Sequence, residues 1–418
     1  MAEDSAEIIE NITQQNCQSV QCHRSPFSVI LCIPHGQRQN RHVGFQKDNG
    51  AELKNQAITK LNRLIEDGRQ NAGAVIEHVM QNQPQDFIVK ANALQFSGTG
   101  GLRMALGDKS EFGIHRFALG QIAEIATVPT RFVDSLAGDE WGRALIAYNL
   151  NEIFRHRNAK RHLVRTVNEQ VRGFLSSSYR RLDSRPIVEA FAKGVMKLGA
   201  LPYKGVITDT RVCIQAIVPD IYEPIPGEIV AFVISLENSD FGNGALSLRV
   251  GVVRIFCDNL ACFEENLRQI HLGKRLDENI LFSQRTYELD TKTTVSALSD
   301  IIDAQLNRDG IQRRMELVAA NATKSVDVQS AQKMLKDALG IGEAQKVIDA
   351  YKSADIEMLP AGNNAWRFSN AISWIGGQES DGDKKLDLFK LAGRVLVPGK
   401  GGKVPFAEAE VVETALAA

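Results

Sequence analysis

The chain is poor in the residues that announce a chemistry. Six cysteines in 418 residues do not make a disulfide framework. The longest apolar runs are strand-length, and Met1 is followed by Ala-Glu-Asp-Ser instead of the apolar stretch of a secretory signal. The expectation is therefore a cytoplasmic protein with no membrane partner. Charge of one sign is also missing. Lys plus Arg number 49 and Asp plus Glu 50, a net charge of −1, so no global field points to nucleic acid or membrane and any such site must come from local clustering.

Catalytic and cofactor motifs are equally scarce. The Gly-rich stretch Phe96-Ser97-Gly98-Thr99-Gly100-Gly101 lacks dinucleotide spacing, and no Lys-Ser or Lys-Thr follows it, so it reads as a turn. Pro398-Gly399-Lys400-Gly401-Gly402-Lys403 fails as a phosphate loop for the same reason. His115, His156, His162 and His271 are the candidate acid–base residues and Cys257 and Cys262 the candidate thiols, although a buried structural cysteine is the better reading. Glu237, Asp240 and Asp258 make no carboxylate pair of convincing spacing, and loop carboxylates usually serve turns. No cofactor, metal or catalytic residue is expected. One exception stays open: Cys17, Cys22, Cys32 and His35, spaced C-x4-C-x9-C-x2-H, could converge on zinc or could lie in an unstructured extension.

What is present is a mixed pattern that predicts an α+β fold. Val212 to Val218 alternate, Ile229 to Leu236 are rich in β-branched and aromatic residues, and Leu246 to Ile255 return to period two. Asp258 or Asn259 reads as a helix N-cap, giving an antiparallel β-β-β-α unit. Val212, Ile214, Phe232, Ile234, Leu248, Val250, Val252 and Ile255 are the expected core. Gly242 and Gly244, in the loop Asn238-Ser239-Asp240-Phe241-Gly242-Asn243-Gly244, are expected to adopt positive φ or to allow close chain approach. The loop itself reads as an exposed hairpin tip that touches ligand or a neighbouring subunit.

Amphipathic spacing predicts a helix over 51–82 and several more from Val295 onward. The organisation follows: 1–90 an N-terminal extension, partly disordered and then helical; 91–290 the α+β core; 291–400 a helical region; 401–418 a tail. Leu119 to Val133 resembles a helix-turn-helix, with Thr127 where the tight turn usually takes Gly; a short helix pair inside the α+β domain is the plainer reading.

The clearest charge feature runs from 155 to 185. Arg155, Arg157, Lys160, Arg161, Arg165, Arg172, Arg180, Arg181 and Arg185 face only Glu169 and Asp183, and Phe154, Phe174 and Tyr179 are interleaved. Arginine bonds phosphate bidentately and aromatics stack on bases, which is the composition of a single-strand binding groove. Lys274, Arg275 and Arg285 extend the positive charge. The alternative is a solvated basic face balanced by acidic segments elsewhere.

Leu163-Val164-Arg165-Thr166, Val171 to Ser176 and Tyr179 to Asp183 resemble the opening of the domain-of-unknown-function 932 family of phage- and plasmid-like proteins. Asn238 to Leu246, Arg254 to Leu260, Asn364-Ala365-Trp366 and Asn370-Ala371 resemble later stretches of it, so the likeness spans about 94–395. The resemblance implies a mobile-element setting and brings no catalytic residues. At the level of fold, the β-β-β-α core resembles single-strand annealing proteins, which form rings. The expected function is single-stranded DNA binding or ATP-independent annealing by a homo-oligomer, with Tyr179 among the contacts. A non-catalytic assembly or host-interaction protein and an enzyme of unknown reaction are the alternatives.

Overall fold

The computed structural model describes residues 49–106, 111–156, 160–257, 260–269, 282–356 and 358–397. Cys17, Cys22, Cys32, His35, Arg157, His271, Lys274, Arg275 and the 398–403 stretch fall outside them.

Two antiparallel-rich sheets organise the chain. The first contains β1 (Gln85–Lys90), β2 (Gln95–Ser97), β3 (Arg103–Ala105), β4 (Glu111–Ile114), β5 (Arg161–Val167) and β6 (Gln170–Ser176), in the order β1-β5-β6-β4-β3-β2. Only β4 and β6 run parallel. One face is covered by α2 (Arg116–Ala126), α3 (Thr130–Leu136) and α4 (Glu140–His156), over a core that includes Phe96, Met104, Ile122, Leu150, Phe154 and Phe174. The predicted helix pair is therefore real but packs on a sheet. Thr127 takes the left-handed turn conformation, φ 55°, that the motif usually gives to Gly.

The second sheet contains β7 (Leu201–Ile207), β8 (Val212–Ile217), β9 (Tyr222–Ile225), β10 (Glu228–Asn238), β11 (Leu246–Arg254) and β12 (Leu260–Gln269). Its order is β12-β11-β10-β8-β7, with β9 added beside β10. The expected core residues lie in β8, β10 and β11, and Ile255 follows directly, its N–H bonded to the Ile229 carbonyl. β10 is buried on both faces, which explains its unbroken apolar run.

After β11 the chain departs from expectation. The cap candidates Asp258 and Asn259 lie outside the described residues, and the expected helix is a strand: after a turn at 255–257, residues 260–269 form β12, paired with β11 from Leu246↔Gln269 to Val253↔Leu260. Asp and Asn signal helix caps and hairpin turns alike. Here the unsatisfied edge of β11 decides, because a strand pairs its backbone groups and a helix laid across it would not.

A long α1 (Asn49–Gln81) packs on β7, where Leu61, Leu64, Ile65 and Tyr203 share one cluster. α5 (Ser184–Lys197) joins the sheets, and α6 (Gln284–Gln305), α7 (Arg308–Ala322), α8 (Val328–Leu339), α9 (Ile341–Lys352), α10 (Ala365–Gln378) and α11 (Gly382–Arg394) form the helical C-terminal third. Gly376 stands inside α10, two residues before its end. A Cβ there would lie 3.0 Å from Leu388 Cβ, so glycine is required by the close approach of α11. From Asp48 on, the chain is one compact unit, without boundaries at 90 or 290. No helix among the described residues is long and apolar enough to cross a membrane.

Candidate nucleic-acid interface

The basic run 155–185 divides into two groups. The larger group is consumed inside the fold. Arg165 points from β5 into the junction between the sheets and is 1% exposed. Its Nε donates to Asp86 at 2.8 Å, its Nη2 to Asp183 at 2.5 Å and its Nη1 to the Asp240 carbonyl at 2.8 Å. Arg181 Nε lies 3.2 Å from Asp86, and its guanidinium covers the Tyr287 ring. Arg180 holds Asp290 of α6 in a bidentate pair at 2.6 and 2.7 Å. Arg185 pairs with Glu189 one turn on. Tyr179 is buried with Leu163 and Leu175, its hydroxyl 3.4 Å from the Ser239 carbonyl, and burial raises its pKa. Arg165 and Tyr179 are closed off from solvent, and Arg180, Arg181 and Arg185 reach the surface only in part and with their charges paired. Sequence counted their charges, but their counter-ions come from Asp86 and Asp290, about 80 to 110 positions away.

The loop 238–244 is the other half of this junction. Asn238 and Ser239 are buried. Asn238 Nδ2 donates to the Leu182 carbonyl, Ser239 Oγ donates to the Thr210 carbonyl, and Asn243 Nδ2 donates to Thr210 Oγ1. Gly242 and Gly244 have φ of +87° and +130°, as expected. A Cβ on Gly242 would meet Leu175 Cδ2 at 2.6 Å. The loop is thus a clasp between the sheets and not a free hairpin tip. Gln121 of α2 seals it, accepting from the Phe174 N–H and donating to the Phe241 carbonyl, each at 2.8 Å.

At the clasp, the guanidinium groups of Arg165 and Arg181 meet the carboxylates of Asp86, Asp183 and Asp240, leaving one negative charge in excess. Asp240 Oδ1 accepts from the Ser184 N–H and hydroxyl. Burial pushes the Asp240 carboxyl up to about 6, against the pull of Arg165 and with a further push from Asp183. Folding therefore favours its neutral form. That contribution is fully present below about pH 3.8 and is lost as pH rises through about 6. Asp240→Asn fixes the neutral form at every pH. In urea denaturation, the stability of wild type relative to this variant is expected to fall by about 2–3 kcal/mol between about pH 4 and pH 7. A difference that does not change with pH would mean that Asp240 is ordinary.

The smaller group stays outside. Arg155 and His156 end α4, where they favour the negative end of the helix dipole and share Glu152 as their partner. Lys160 is exposed beyond it. Arg161 opens β5 directly opposite Lys90, the last residue of β1. Like charges in register repel, and among the described residues neither Lys90 nor Arg161 has an ion-pair partner. This corner is the part of the predicted groove that faces solvent.

A feature that the sequence reading missed leads into it. α4 buries Ile146, Ala147, Leu150 and Phe154, and Asn151 fastens it to β2 by bonding both the N–H and the carbonyl of Phe96. Gly98 allows the close contact, since a Cβ there would lie 2.6 Å from the Ala144 nitrogen. The opposite face carries Trp141, Leu145, Tyr148, Glu152 and Arg155 at spacings of three and four. Trp141 and Tyr148 are each 64% exposed. Helical spacing could have found them: with Ile146, Leu150 and Phe154 inward, both aromatics must face out.

The candidate acid–base groups are dispersed. His162 is buried and stacked on Phe174, Cys257 is buried, and Glu237 is held by Lys390 and Arg211. No cluster of metal-ligating side chains occurs among the described residues. Scans against protein-family models, curated proteins and solved structures each return no match.

Proposed function

We propose that the protein binds single-stranded nucleic acid along the outer face of α4 and the basic corner at its end, in the mobile-element setting that the family resemblance implies. The observation that carries this reading is the pair Trp141 and Tyr148, each 64% exposed and seven residues apart on the face that runs to Arg155. Large aromatics held out of the core are platforms for bases, which stack without regard to sequence. Arg155, Lys160, Arg161 and Lys90 then supply the charge that follows a phosphate backbone. The face needs no nucleotide or metal, which suits binding or annealing.

A fluorescence-anisotropy titration of the full chain with a labelled oligonucleotide tests the reading. Trp141→Ala and Tyr148→Ala are each expected to cost about 1–3 kcal/mol of binding, with little change in salt dependence. Lys90→Ala with Arg161→Ala is expected to flatten the log–log salt slope by about 0.7 for each contact removed. Arg180→Ala, which removes a pair to Asp290, is expected to leave the slope unchanged. No binding at tens of micromolar protein would sink the proposal. Leu145 between the two aromatics favours a second reading, a self-association face. Under that reading Trp141→Ala changes the sedimentation coefficient and not the affinity for oligonucleotide.

A further inference from the structure

Among the described residues of the basic run, Arg172 is drawn inward and yet meets no carboxylate. It lies at the turn end of the β5–β6 hairpin and lines a small open cleft, about 40 Å³, between the end of α1, that hairpin and the turn joining β7 to β8. Its Nη2 donates to the backbone carbonyl of Asp209, and its guanidinium lies 5.4 Å from the centre of the Phe241 ring. Its Nε is buried and has no acceptor. No carboxylate oxygen among the described residues is within ion-pair distance of it. An ionised group held this way lacks an anion.

The neighbouring donors are already oriented. His115, behind the lining residue Asp209, accepts the Phe117 N–H through Nδ1, so its proton sits on Nε2 and faces the Asp209 carboxylate at 3.6 Å. His78, on α1, takes the Asn82 amide through Nδ1, which places its proton on Nε2 as well. Both imidazoles have lowered pKa values, first by burial and then by the charge of Arg172. The other charged groups facing the cleft are Asp209, Asp240 and Arg211. Arg211 is engaged by Glu237, Asp383 and Asp387, and Asp240 is turned into the clasp.

We infer that this cleft is a phosphate-binding site, with Arg172 as its cation and His78 as a flanking donor. A fork of guanidinium hydrogens with the imidazole N–H of His78 offers more donors than the two oxygens of a carboxylate use. A phosphate group, free or at the end of an ester, has the oxygens to meet them. An anion beside Arg172 offsets the part of the imidazole shift that comes from its charge, while the larger part, burial, remains, so binding and protonation help each other. The site is separate from the α4 face, because four to five residues of β5, about 15 Å at 3.3 Å per residue, lie between the position opposite Arg172 and Arg161 at the basic corner.

Calorimetric titration of the full chain tests this with inorganic phosphate, and with sulfate, whose charge is constant over the pH range used. Phosphate is expected to bind with a dissociation constant in the millimolar range or below, and Arg172→Gln to weaken it at least about tenfold. Sulfate affinity is expected to rise severalfold from about pH 8 to pH 6, and the pair His78→Gln with His115→Asn to remove that rise. A 5′-phosphorylated oligonucleotide that competes better than its 5′-hydroxyl twin identifies an ester as the natural ligand; equal competition identifies free phosphate. If Arg172→Gln does not fold, the histidine pair, which leaves Arg172 in place, decides through the sulfate rise alone. No binding of either anion at about 10 mM, unchanged binding by a folded Arg172→Gln, or a sulfate rise that survives loss of both histidines would overturn the proposal.

Discussion

Arg165→Met is expected to destabilise the protein by about 3–5 kcal/mol, because it strips the cation from a buried ion cluster and leaves the anions behind. The wild-type side chain is 1% exposed and touches Asp86, Asp183 and the Asp240 backbone. The three carboxylates together hold its charge in place, outweighing the cost of burial, and its pKa is raised. Without it, Asp86 keeps Arg181 as a partner, but the buried Asp240 is left beside Asp183, which is 43% exposed, with no cation between them. The loss should be carried mainly by like-charge repulsion and missing bonds, since methionine fills much of the volume. Adding Asp183→Asn to Arg165→Met should therefore recover part of it. Chemical denaturation of the two single variants and the double variant measures the coupling. Additive effects would mean that the residues are not energetically linked. Lowered pH separates the causes further: without the pull of Arg165 the Asp240 carboxyl should protonate above its wild-type value of about 6, and its protonation should shrink the penalty of Arg165→Met.

The same cluster shows why the sequence was legible for the fold and misleading for the site. Strands β8, β10 and β11 repeat apolar residues at a period that any buried sheet imposes, so their residues could be named in advance. Gly242 and Gly244 were legible because a turn requires φ that other residues resist. Arginine carries no such local constraint. Its long side chain reaches across chain segments, so whether it faces water or a carboxylate depends on long-range pairing. Arg180 finds Asp290 and Arg165 finds Asp86 through topology alone. The β12 strand was misread for a related reason: its identity is set by the open edge of β11, a tertiary fact. Trp141 and Tyr148 were overlooked although helix periodicity places them outward, because aromatic residues are first expected inside.

Gly68→Ala should destabilise the protein by about 3 kcal/mol or more, although alanine is the better helix former by about 1 kcal/mol. Gly68 stands on the buried face of α1, where a Cβ would lie 1.6 Å from the carbonyl oxygen of Tyr203 in β7. That neighbour is backbone and cannot turn aside. The contact is answered from the strand: a Cβ on Gly205 would lie 2.3 Å from Val75 Cγ2 and 2.6 Å from the Asn71 carbonyl oxygen. Helix and strand thus approach closely at successive positions, each supplying one glycine, and α1 can move away only by breaking the cluster of Leu61, Leu64, Ile65 and Tyr203. Gly73, five residues on, has nothing within 4 Å of its virtual Cβ. Gly73→Ala should therefore stabilise by about 0.5–1 kcal/mol through helix propensity and lost unfolded-state freedom alone. Thermal melts of the two variants should move in opposite directions from wild type. Equal shifts would mean that α1 is a loosely attached extension, as composition suggested. Opposite shifts would make it a structural layer of the second sheet, so that truncation before β1 should unfold that sheet and not merely trim a terminus.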